Sequence, residues 1–487
     1  MTTSPPSLED RLAQLESEAR RLEPGPDARG RMRDRVVAQT EIFLESLEGG
    51  KAYVVTDHKG SGLLDLAIQE EGRPIEALLQ SWTRDVETPG LNPASGGHLG
   101  YIPGGGLYPS SLADYLAAVT NRYAGVFFAS PGAVRMENLL IRWMADLIGY
   151  PEEAGGDLSS GGSIANLTAI VTAREAKGIT SGRVRQSVIY ATDQVHHCVG
   201  KAIGIAGLKE APVRRIPMDD RFRMVPTALA RQMDADRDHG LDPFLVVASG
   251  GTTDTGAVDP IGDIAEIAHE HGAWFHVDAA YGGFFLLTPE APEPLRALHQ
   301  ADSVVLDPHK GLFLPYGSGA LLVRDRELLY RAHRYDANYM QDTHRSREEP
   351  SPADHSPELT RHFRGLRFWL PLQLFGVAPF RACLSEKIWL TRYFYERLRD
   401  IPHMELGPDP ELSVCLFRHV PPGKDADPVN ARLIEAVQTD GRVFMSSTHV
   451  NGSHWLRLAA LAFRTHKSTI DQALDVLREL VEEEAER

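Results

Sequence analysis

The feature that most constrains the fold is a regular alternation of short β-rich runs with helical patterns between residues 187 and 307. The runs are SVIYAT (187–192), FLVVAS (244–249), WFHVDAA (274–280) and DSVVLD (302–307), and a helical pattern over 261–271 separates two of them. Short apolar strands joined by helices indicate a mostly parallel sheet with helices on both faces. The sequence therefore predicts an α/β protein whose ligand site lies beyond the carboxyl ends of the strands.

The segments on either side of this alternation differ from it in composition. The N-terminal stretch combines charged residues with prolines, and the stretch over 333–362 is polar with few apolar residues. After residue 400 a smaller set of patterns follows, with strands at 412–419 and 454–459. These shifts predict three parts. They are an N-terminal helical arm (1–85), a large domain (86–375) that includes a mobile loop (333–362), and a small C-terminal α/β domain (376–487).

The charge balance restricts the class of partner. Lysine and arginine number 51 and aspartate and glutamate number 67, so the formal net charge is −16. A chain this acidic is a poor binder of nucleic acid or anionic membranes, and we expect a small-molecule substrate instead. The cysteines form no C-x-x-C pair, and no stretch approaches the ~20 apolar residues of a membrane helix. We therefore expect a cytoplasmic protein.

Two predicted strand ends carry a lysine and a carboxylate. Lys310 lies in DPHK (307–310), directly after one strand, and Asp278 lies in HVDAA (276–280), at the end of another. Because ligands of parallel α/β sheets bind beyond the strand ends, both side chains should reach one crevice. Burial of Lys310 would lower its pKa and make its amine a nucleophile for an aldehyde. A buried Asp278 needs a cation, and a protonated pyridine nitrogen would supply one.

Two further segments complete the pattern. SSGGS (159–163) precedes a helical pattern, so its backbone N–H groups and the helix dipole favour a bound phosphate. His196 follows another predicted strand, where its ring can lie over a flat heterocycle. A lysine, a carboxylate, a phosphate-binding helix start and a stacking histidine together describe a pocket for pyridoxal 5′-phosphate (PLP). No metal site is expected, because His269 and His271 lie two apart on a helix and share no face.

These motifs resemble those of the group II PLP-dependent decarboxylases, the family of aromatic amino acid and glutamate decarboxylases. The resemblance covers residues 80–380 clearly and the C-terminal part loosely. It is carried by SSGGSIAN (159–166), DQVH (193–196), SGGTTDTGAVDP (249–260), HVDAAYGG (276–283), DPHK (307–310) and FRGLRFW (363–369). It implies a fold-type-I enzyme with a large, mainly parallel, seven-stranded sheet domain.

The resemblance also implies a role for individual residues. Lys310 would bind the cofactor covalently through its amine, Asp278 would pair with the pyridine nitrogen, and His196 would stack on the ring. These three are the expected catalytic residues. The other cofactor contacts that it implies are Gly162, Ser163 and Ser303 at the phosphate, Thr253 near the stacking histidine, Ala280 beneath the ring and His309 beside the lysine.

Two segments depart from the family pattern. In the aromatic amino acid decarboxylases a loop tyrosine protonates Cα, and by ungapped counting the matching position here is Pro352. The family's aromatic-rich substrate segment corresponds to 98–106, which is small and Gly-rich. The candidate substrate contacts are therefore His98 and Tyr101 in that segment, with Tyr339 and His355 as candidate proton donors in the loop.

Together these observations predict the α-decarboxylation of an L-amino acid to an amine and carbon dioxide. The resemblance implies an obligate homodimer with the active site at the interface, to which the arm and the loop would contribute. The missing loop tyrosine leaves an alternative open, namely decarboxylation with oxidative deamination to an aldehyde, or another fold-type-I reaction such as transamination. An alternative of another class is a PLP-binding scaffold without turnover, whose spectrum no amino acid would change.

Overall fold

A computed structural model describes residues 7–334 and 349–485 of the chain. The chain divides into two units, one within residues 1–92 and the other within residues 93–487. All the motifs that predict a cofactor site lie in the second unit. Across the described residues, no helix is both long enough and apolar enough to cross a membrane.

The N-terminal unit consists of helices joined by loops, with one short antiparallel pair of strands. Its elements are α1 (Leu8–Ala19), α2 (Pro26–Ser46), α3 (Ile75–Trp82), β1 (Tyr53–Val54) and β2 (Gly90–Leu91). Of its described residues only Ala52 and Asp85 are buried, whereas Leu8, Leu12 and Leu15 on α1 are exposed. Within residues 7–92 the unit therefore has no apolar core of its own.

The second unit is built on a seven-stranded sheet. Its strands are β3 (Gly155–Ser159), β4 (Ser187–Ala191), β5 (Val213–Arg215), β6 (Asp242–Ser249), β7 (Trp274–Asp278), β8 (Ser303–Leu306) and β9 (Gly319–Val323). Their order is β3-β9-β8-β7-β6-β4-β5, and the pairs from β8 to β5 are parallel. The predicted α/β fold with a mainly parallel seven-stranded sheet is confirmed.

The direction of β9 decides which strand ends meet. It runs antiparallel to both neighbours, and it pairs Gly319 with Ser159 and Ala320 with Leu306. Consequently β3 runs in the same direction as β8. The carboxyl ends of β3, β6, β7 and β8 therefore lie at one edge of the sheet, and the predicted site motifs leave the sheet at that edge.

Helices cover both faces of this sheet. They are α4 (Tyr108–Thr120), α5 (Pro131–Ile148), α6 (Gly162–Ala176), α7 (His197–Ile205), α8 (Pro226–Asp238), α9 (Ile261–Glu270), α10 (Pro308–Gly311), α11 (Arg326–His333), α12 (Gly365–Phe375) and α13 (Ala378–Leu398). Alternate residues of β7 belong to different cores: Phe275 and Val277 pack with α5 and α9, and Trp274 packs with α6 and α7. The strand is thus buried on both faces, as in other parallel sheets.

The C-terminal part forms a smaller layer of sheet and helices. Its elements are β10 (Met404–Leu406), β11 (Val414–His419), α14 (Ala426–Asp440), β12 (Ser446–Val450), β13 (Ser453–Ala459) and α15 (Lys467–Ala485). The strands pair antiparallel in the order β10-β11-β13-β12. Asp425 caps the start of α14, and Gly441 ends it with a φ of 77°.

A mobile loop was predicted over residues 333–362, but the second half of this segment is packed against the rest of the unit. Residues 335–348 lie outside the described residues, but 349–362 contains buried, hydrogen-bonded groups. Arg361 is 7% exposed and forms ion pairs with Glu137 on α5, at 3.0 Å, and with Asp157 on β3. The charged residues of this segment suggested a solvated loop. The charge of Arg361 is instead neutralised by Glu137 and Asp157, which lie more than two hundred residues earlier in the sequence.

Candidate active site

The predicted strand ends surround one cavity. It has a volume of about 330 Å³, within the range of small-molecule sites, and lies at the edge where β3, β6, β7 and β8 end. The predicted residues that line it are Gly162, Ser163, His196, Thr253, Asp278, Ala280, His309 and Lys310. The structure therefore brings together the lysine, the carboxylate, the helix start and the histidine that the sequence analysis placed in one crevice.

Lys310 lies at the floor of this cavity beside a carboxylate. Its Nζ is 3.0 Å from Asp307 Oδ2, and its side chain is 21% exposed. Burial by itself would lower the pKa of Lys310, but Asp307 and Asp278 outweigh it and raise that pKa above its usual 10.5. The expectation of a lysine with a lowered pKa is therefore wrong for the protein without its cofactor, because two carboxylates face the amine.

Asp278 is held by two hydrogen-bond donors. Asn166 Nδ2 donates to its Oδ2 at 3.1 Å, and the backbone N–H of Ala280 donates to its Oδ1 at 3.2 Å. Asp278 is the last residue of β7, is 8% exposed and lines the cavity. A carboxylate in this position stabilises a cationic ring nitrogen.

The start of α6 forms a cradle for an anion. The N-cap residue Gly161 has a φ of 154°, which glycine tolerates best, and the first N–H groups of a helix lack partners within the helix. A Cβ at Gly162 would lie 2.9 Å from Asp307 Oδ2, and a Cβ at Gly319 would lie 2.5 Å from Gly161 Cα. The backbone itself is therefore the wall of the cavity here, as a phosphate site at a helix start requires.

Burial favours the neutral form of two histidines on the cavity wall. His196 precedes α7 and accepts a hydrogen bond at Nδ1 from the N–H of Cys198 at 3.3 Å. His309 Nδ1 lies 2.6 Å from the carbonyl oxygen of Ser318, to which it donates. Burial lowers the pKa of both rings, although Asp278 opposes this at His196 and Asp307 opposes it at His309. A neutral His196 is free to pack against a flat aromatic ring.

The lining residues fit PLP. Two cavity oxygens, Gln194 Oε1 and Asp307 Oδ1, are buried and have no hydrogen-bond partner among the described residues. The site offers an amine for the aldehyde at Lys310, a carboxylate for the pyridine nitrogen at Asp278, and the start of α6 for the phosphate. These complementary groups surround one cavity of about 330 Å³.

The structure corrects the predicted role of Ser303. This residue begins β8 and is fully buried, and its Oγ accepts a hydrogen bond from Trp274 Nε1 at 2.9 Å. It is not among the residues that line the cavity. The reason is geometric, since a strand advances ~3.3 Å per residue and Ser303 starts the strand at the edge opposite to Asp307.

His98 and Tyr101, the candidate substrate contacts, are also absent from the described cavity wall. His98 is 1% exposed and packs its ring against Phe444, with ring centres 5.8 Å apart. Tyr101 is 57% exposed and has a φ of 53°. The segment is held to the C-terminal part of the same unit, because the N–H of Leu99 donates to the Phe444 carbonyl at 2.8 Å.

Of the candidate proton donors, His355 is placed away from the cavity. It is 5% exposed, its ring meets that of Tyr330 edge-on, and burial lowers its pKa to about 4. Pro352 begins a buried turn whose Ala353 N–H donates to the Gly125 carbonyl at 2.9 Å. Tyr339 lies outside the described residues, so its role as a proton donor stays a prediction.

Sequence reasoning missed several cavity residues. Asn166 lies in the quoted motif SSGGSIAN but received no role. Its position four residues after Gly162 on α6 places it on the same helix face, and its Nδ2 donates to the Gly162 carbonyl at 2.8 Å. Cys198 and Tyr316 also line the cavity, and no local pattern marks either of them.

Comparisons with known proteins agree with this site. A family model described as the pyridoxal-dependent decarboxylase conserved domain matches residues 58–420. The chain is 32% identical over 422 residues to the aromatic-L-amino-acid decarboxylase of Bacillus atrophaeus, covering 86% of this chain and 88% of that protein. It is 31% identical over 427 residues to the phenylacetaldehyde synthase of Petunia hybrida, covering 83% of this chain and 84% of that protein.

The fold is also similar to that of solved structures. The crystal structure of Oryza sativa TDC with PLP and tryptamine matches with a TM-score of 0.88 and 25% identity, covering 94% of this chain and 98% of that one. The chain belongs to the pyridoxal-dependent decarboxylase family. It is a PLP-dependent carboxy-lyase that decarboxylates an L-amino acid, so the predicted family, cofactor and reaction are confirmed and the scaffold interpretation is not supported.

Proposed function

We propose that this decarboxylase converts an aromatic L-amino acid into its amine, with Lys310, Asp278 and His196 as its catalytic residues. The observation that carries the proposal is the convergence of Lys310 and Asp278 on one cavity whose third side is the start of α6. The remaining proposed cofactor contacts are Gly162, Ser163, Thr253, Ala280 and His309. Ser303 has no part in this proposal.

The chemistry divides between the cofactor and the side chains. When bound, PLP supplies an aldehyde that takes up an amine and a ring that accepts the electrons left by departing carbon dioxide. Asp278 favours a proton on the ring nitrogen by its negative charge, and His196 fixes the plane of the ring. Asp307 Oδ2, 3.0 Å from Lys310 Nζ, holds the amine in place and keeps a proton on it.

The charges of the cavity support a substrate side chain without a negative charge. Asp278 and Asp307 both line the cavity, and Lys310 is the one lysine or arginine among its described lining residues. Lys310 already faces both carboxylates, so an acidic side chain would meet repulsion without a free cation. The similarity to an aromatic-L-amino-acid decarboxylase supports an aromatic side chain.

The fate of the substrate after loss of carbon dioxide depends on the proton donor to Cα. Of the two candidate donors, His355 is buried away from the cavity, which leaves Tyr339. We propose Tyr339 as this donor, and with it an amine as the product. The similarity to a phenylacetaldehyde synthase favours a second candidate function, in which the same site yields an aldehyde.

We also propose that the enzyme is a homodimer. Leu8, Leu12 and Leu15 recur at helical spacing on α1 and are 77%, 56% and 48% exposed. An apolar stripe of this kind stabilises a helix only when it is covered, and a second copy of the chain would cover it. Light scattering should give twice the mass of the chain, and Leu12→Lys combined with Leu15→Lys should lower it. A wild-type monomer at micromolar concentration would contradict the proposal.

A product assay tests the proposed function. Purified protein loaded with PLP is incubated with L-tryptophan, L-tyrosine, L-phenylalanine, L-glutamate and L-aspartate, while carbon dioxide, amine, aldehyde and hydrogen peroxide are measured. We expect carbon dioxide and amine in equal amounts from an aromatic substrate. Faster turnover of L-glutamate or L-aspartate would contradict the substrate class, and aldehyde with peroxide would establish the second candidate.

A further inference from the structure

Behind Asp278, four side chains form one continuous hydrogen-bond chain. Trp274, His276 and Asp278 occupy alternate positions of β7 and so share one face of the sheet. Trp274 Nε1 donates to Ser303 Oγ at 2.9 Å, and Ser303 Oγ is 2.8 Å from His276 Nδ1. His276 Nε2 is 2.8 Å from Asn166 Oδ1, and Asn166 Nδ2 donates to Asp278 Oδ2 at 3.1 Å.

The direction of this chain follows from its two ends. Asn166 Nδ2 also donates to the Gly162 carbonyl at 2.8 Å, so the amide oxygen of Asn166 faces His276. An amide oxygen only accepts, and therefore His276 Nε2 carries the proton. An indole nitrogen only donates, so Ser303 Oγ accepts from Trp274 and its hydroxyl proton goes to His276 Nδ1. In every hydrogen bond of this series, the donor lies on the Trp274 side and the acceptor lies on the Asp278 side.

Burial keeps the middle of the chain uncharged. Asn166, His276 and Ser303 are fully buried and Trp274 is 3% exposed. Burial lowers the pKa of His276 to about 4, although the charge of Asp278 opposes this. A protonated His276 would place a second cation two residues from Asp278 and weaken its hold on a cationic ring. A neutral His276 orients the carboxylate and leaves its charge intact.

We propose that Asn166, His276, Ser303 and Trp274 are positioning residues that fix the orientation and charge of Asp278 for the pyridine nitrogen of the cofactor. The inference rests on the proposed role of Asp278 in the cofactor site. His276, Ser303 and Trp274 lie behind the described cavity wall, and Asn166 lines the cavity beside Asp278. Their effect reaches the reaction only through the proton on the ring nitrogen and through the affinity for PLP.

Substitutions of His276 and Ser303 test the role of the hydrogen-bond chain. His276→Gln keeps a neutral donor for Asn166 and an acceptor for Ser303, whereas His276→Leu removes both. Ser303→Ala breaks the chain one step earlier, and Ser187→Ala is its matched control, because Ser187 is a fully buried strand serine that bonds the Arg183 carbonyl. The readouts are the dissociation constant for PLP and the ¹⁵N chemical shift of PLP labelled at its ring nitrogen. Urea unfolding of each apoprotein measures the fraction folded.

We expect His276→Leu to weaken PLP binding on the order of 10–100-fold, the range known when the hydrogen-bond partner of a buried metal ligand is lost. The ring nitrogen should also lose its proton at lower pH than in the wild type. His276→Gln should restore both properties, and Ser303→Ala should shift the ¹⁵N signal where Ser187→Ala does not. If His276→Leu does not fold, the inference is tested by comparing the ¹⁵N signals of Ser303→Ala and Ser187→Ala.

Two results overturn the inference. One is an unchanged ¹⁵N signal and PLP affinity in His276→Leu, and the other is a Ser303→Ala variant that matches Ser187→Ala. Failure of the proposed function has a different signature, since the wild type itself would then bind no PLP or give it an unprotonated ring.

Discussion

Replacing Asp307 by asparagine should speed the covalent capture of PLP by Lys310. Lys310 Nζ is 3.0 Å from Asp307 Oδ2, and both side chains are largely shielded from water, at 21% and 2% exposure. Burial would lower the pKa of Lys310, but Asp307 and Asp278 raise it above 10.5. An amine attacks an aldehyde only in its neutral form, so Asp307 keeps most of the lysine in the unreactive form at neutral pH.

The size of the effect follows from the lost contact. A hydrogen bond to a charged group contributes about 1.5–3 kcal/mol. Since about 1.4 kcal/mol corresponds to a factor of ten, its removal lowers the pKa of Lys310 and favours the neutral amine by about 10–100-fold. Below that pKa the neutral fraction, and with it the rate constant of capture, should rise by about 10–100-fold. The rate should also level off at lower pH than in the wild type.

Stopped-flow absorbance after mixing apoprotein with PLP measures this rate constant. Varying the PLP concentration separates the limiting rate of the covalent step from the affinity. Asp259→Asn is the matched control, because Asp259 is a buried carboxylate after β6 that accepts from Met224 N–H and Ser249 N–H and does not line the cavity. A folded Asp307→Asn variant whose limiting rate equals that of the wild type or Asp259→Asn would refute the reasoning.

Three further predictions concern the catalytic lysine, a buried carboxyl group and the loop. Lys310→Ala should abolish turnover, and borohydride reduction of the loaded wild type with peptide mass mapping should place the cofactor on the Lys310 peptide and on no other. Burial, opposed by Arg361, raises the pKa of Glu137 from 4.5 to about 7, so its contribution to stability is complete below pH 4.5 and is lost as pH rises through 7. Glu137→Gln should remove that decrease from the urea-unfolding free energy between about pH 5 and pH 8, and an unchanged pH profile would contradict it. Tyr339→Phe should shift the product from amine toward aldehyde and peroxide, and an unchanged amine yield would exclude Tyr339 as the proton donor.

The strand-end motifs could be predicted because their signal is local. A β-rich run followed by DPHK or HVDAA places Lys310 and Asp278 at the carboxyl end of a strand, whatever the rest of the chain does. The rule that parallel strands share one such edge then brings the two side chains together. The strands β3 and β9 escaped prediction, because glycines such as Gly156 and Gly319 weaken a β pattern.

The differences between expectation and structure have non-local causes. His98 stays a predicted substrate contact, but it lies outside the described cavity wall, because its neighbour Leu99 pairs with Phe444 and with Ala459 across more than three hundred residues. The pKa of Lys310 was expected to fall because burial can be inferred from a strand end, whereas the opposing carboxylates are a matter of tertiary structure. The phosphate contact of Ser303 was implied by the family resemblance, and only the strand direction shows that Ser303 lies at the far edge of the sheet.

Glycines packed directly behind the cavity residues also determine where the enzyme can be redesigned. A Cβ at Gly104 would lie 1.9 Å from the carbonyl oxygen of His309, and one at Gly319 would collide with the backbone of Gly161. A side chain at Gly104 would displace the backbone beside Lys310, and one at Gly319 would displace the start of α6. Libraries aimed at new substrates should therefore keep these glycines and vary Tyr316 and Gln194, which line the cavity.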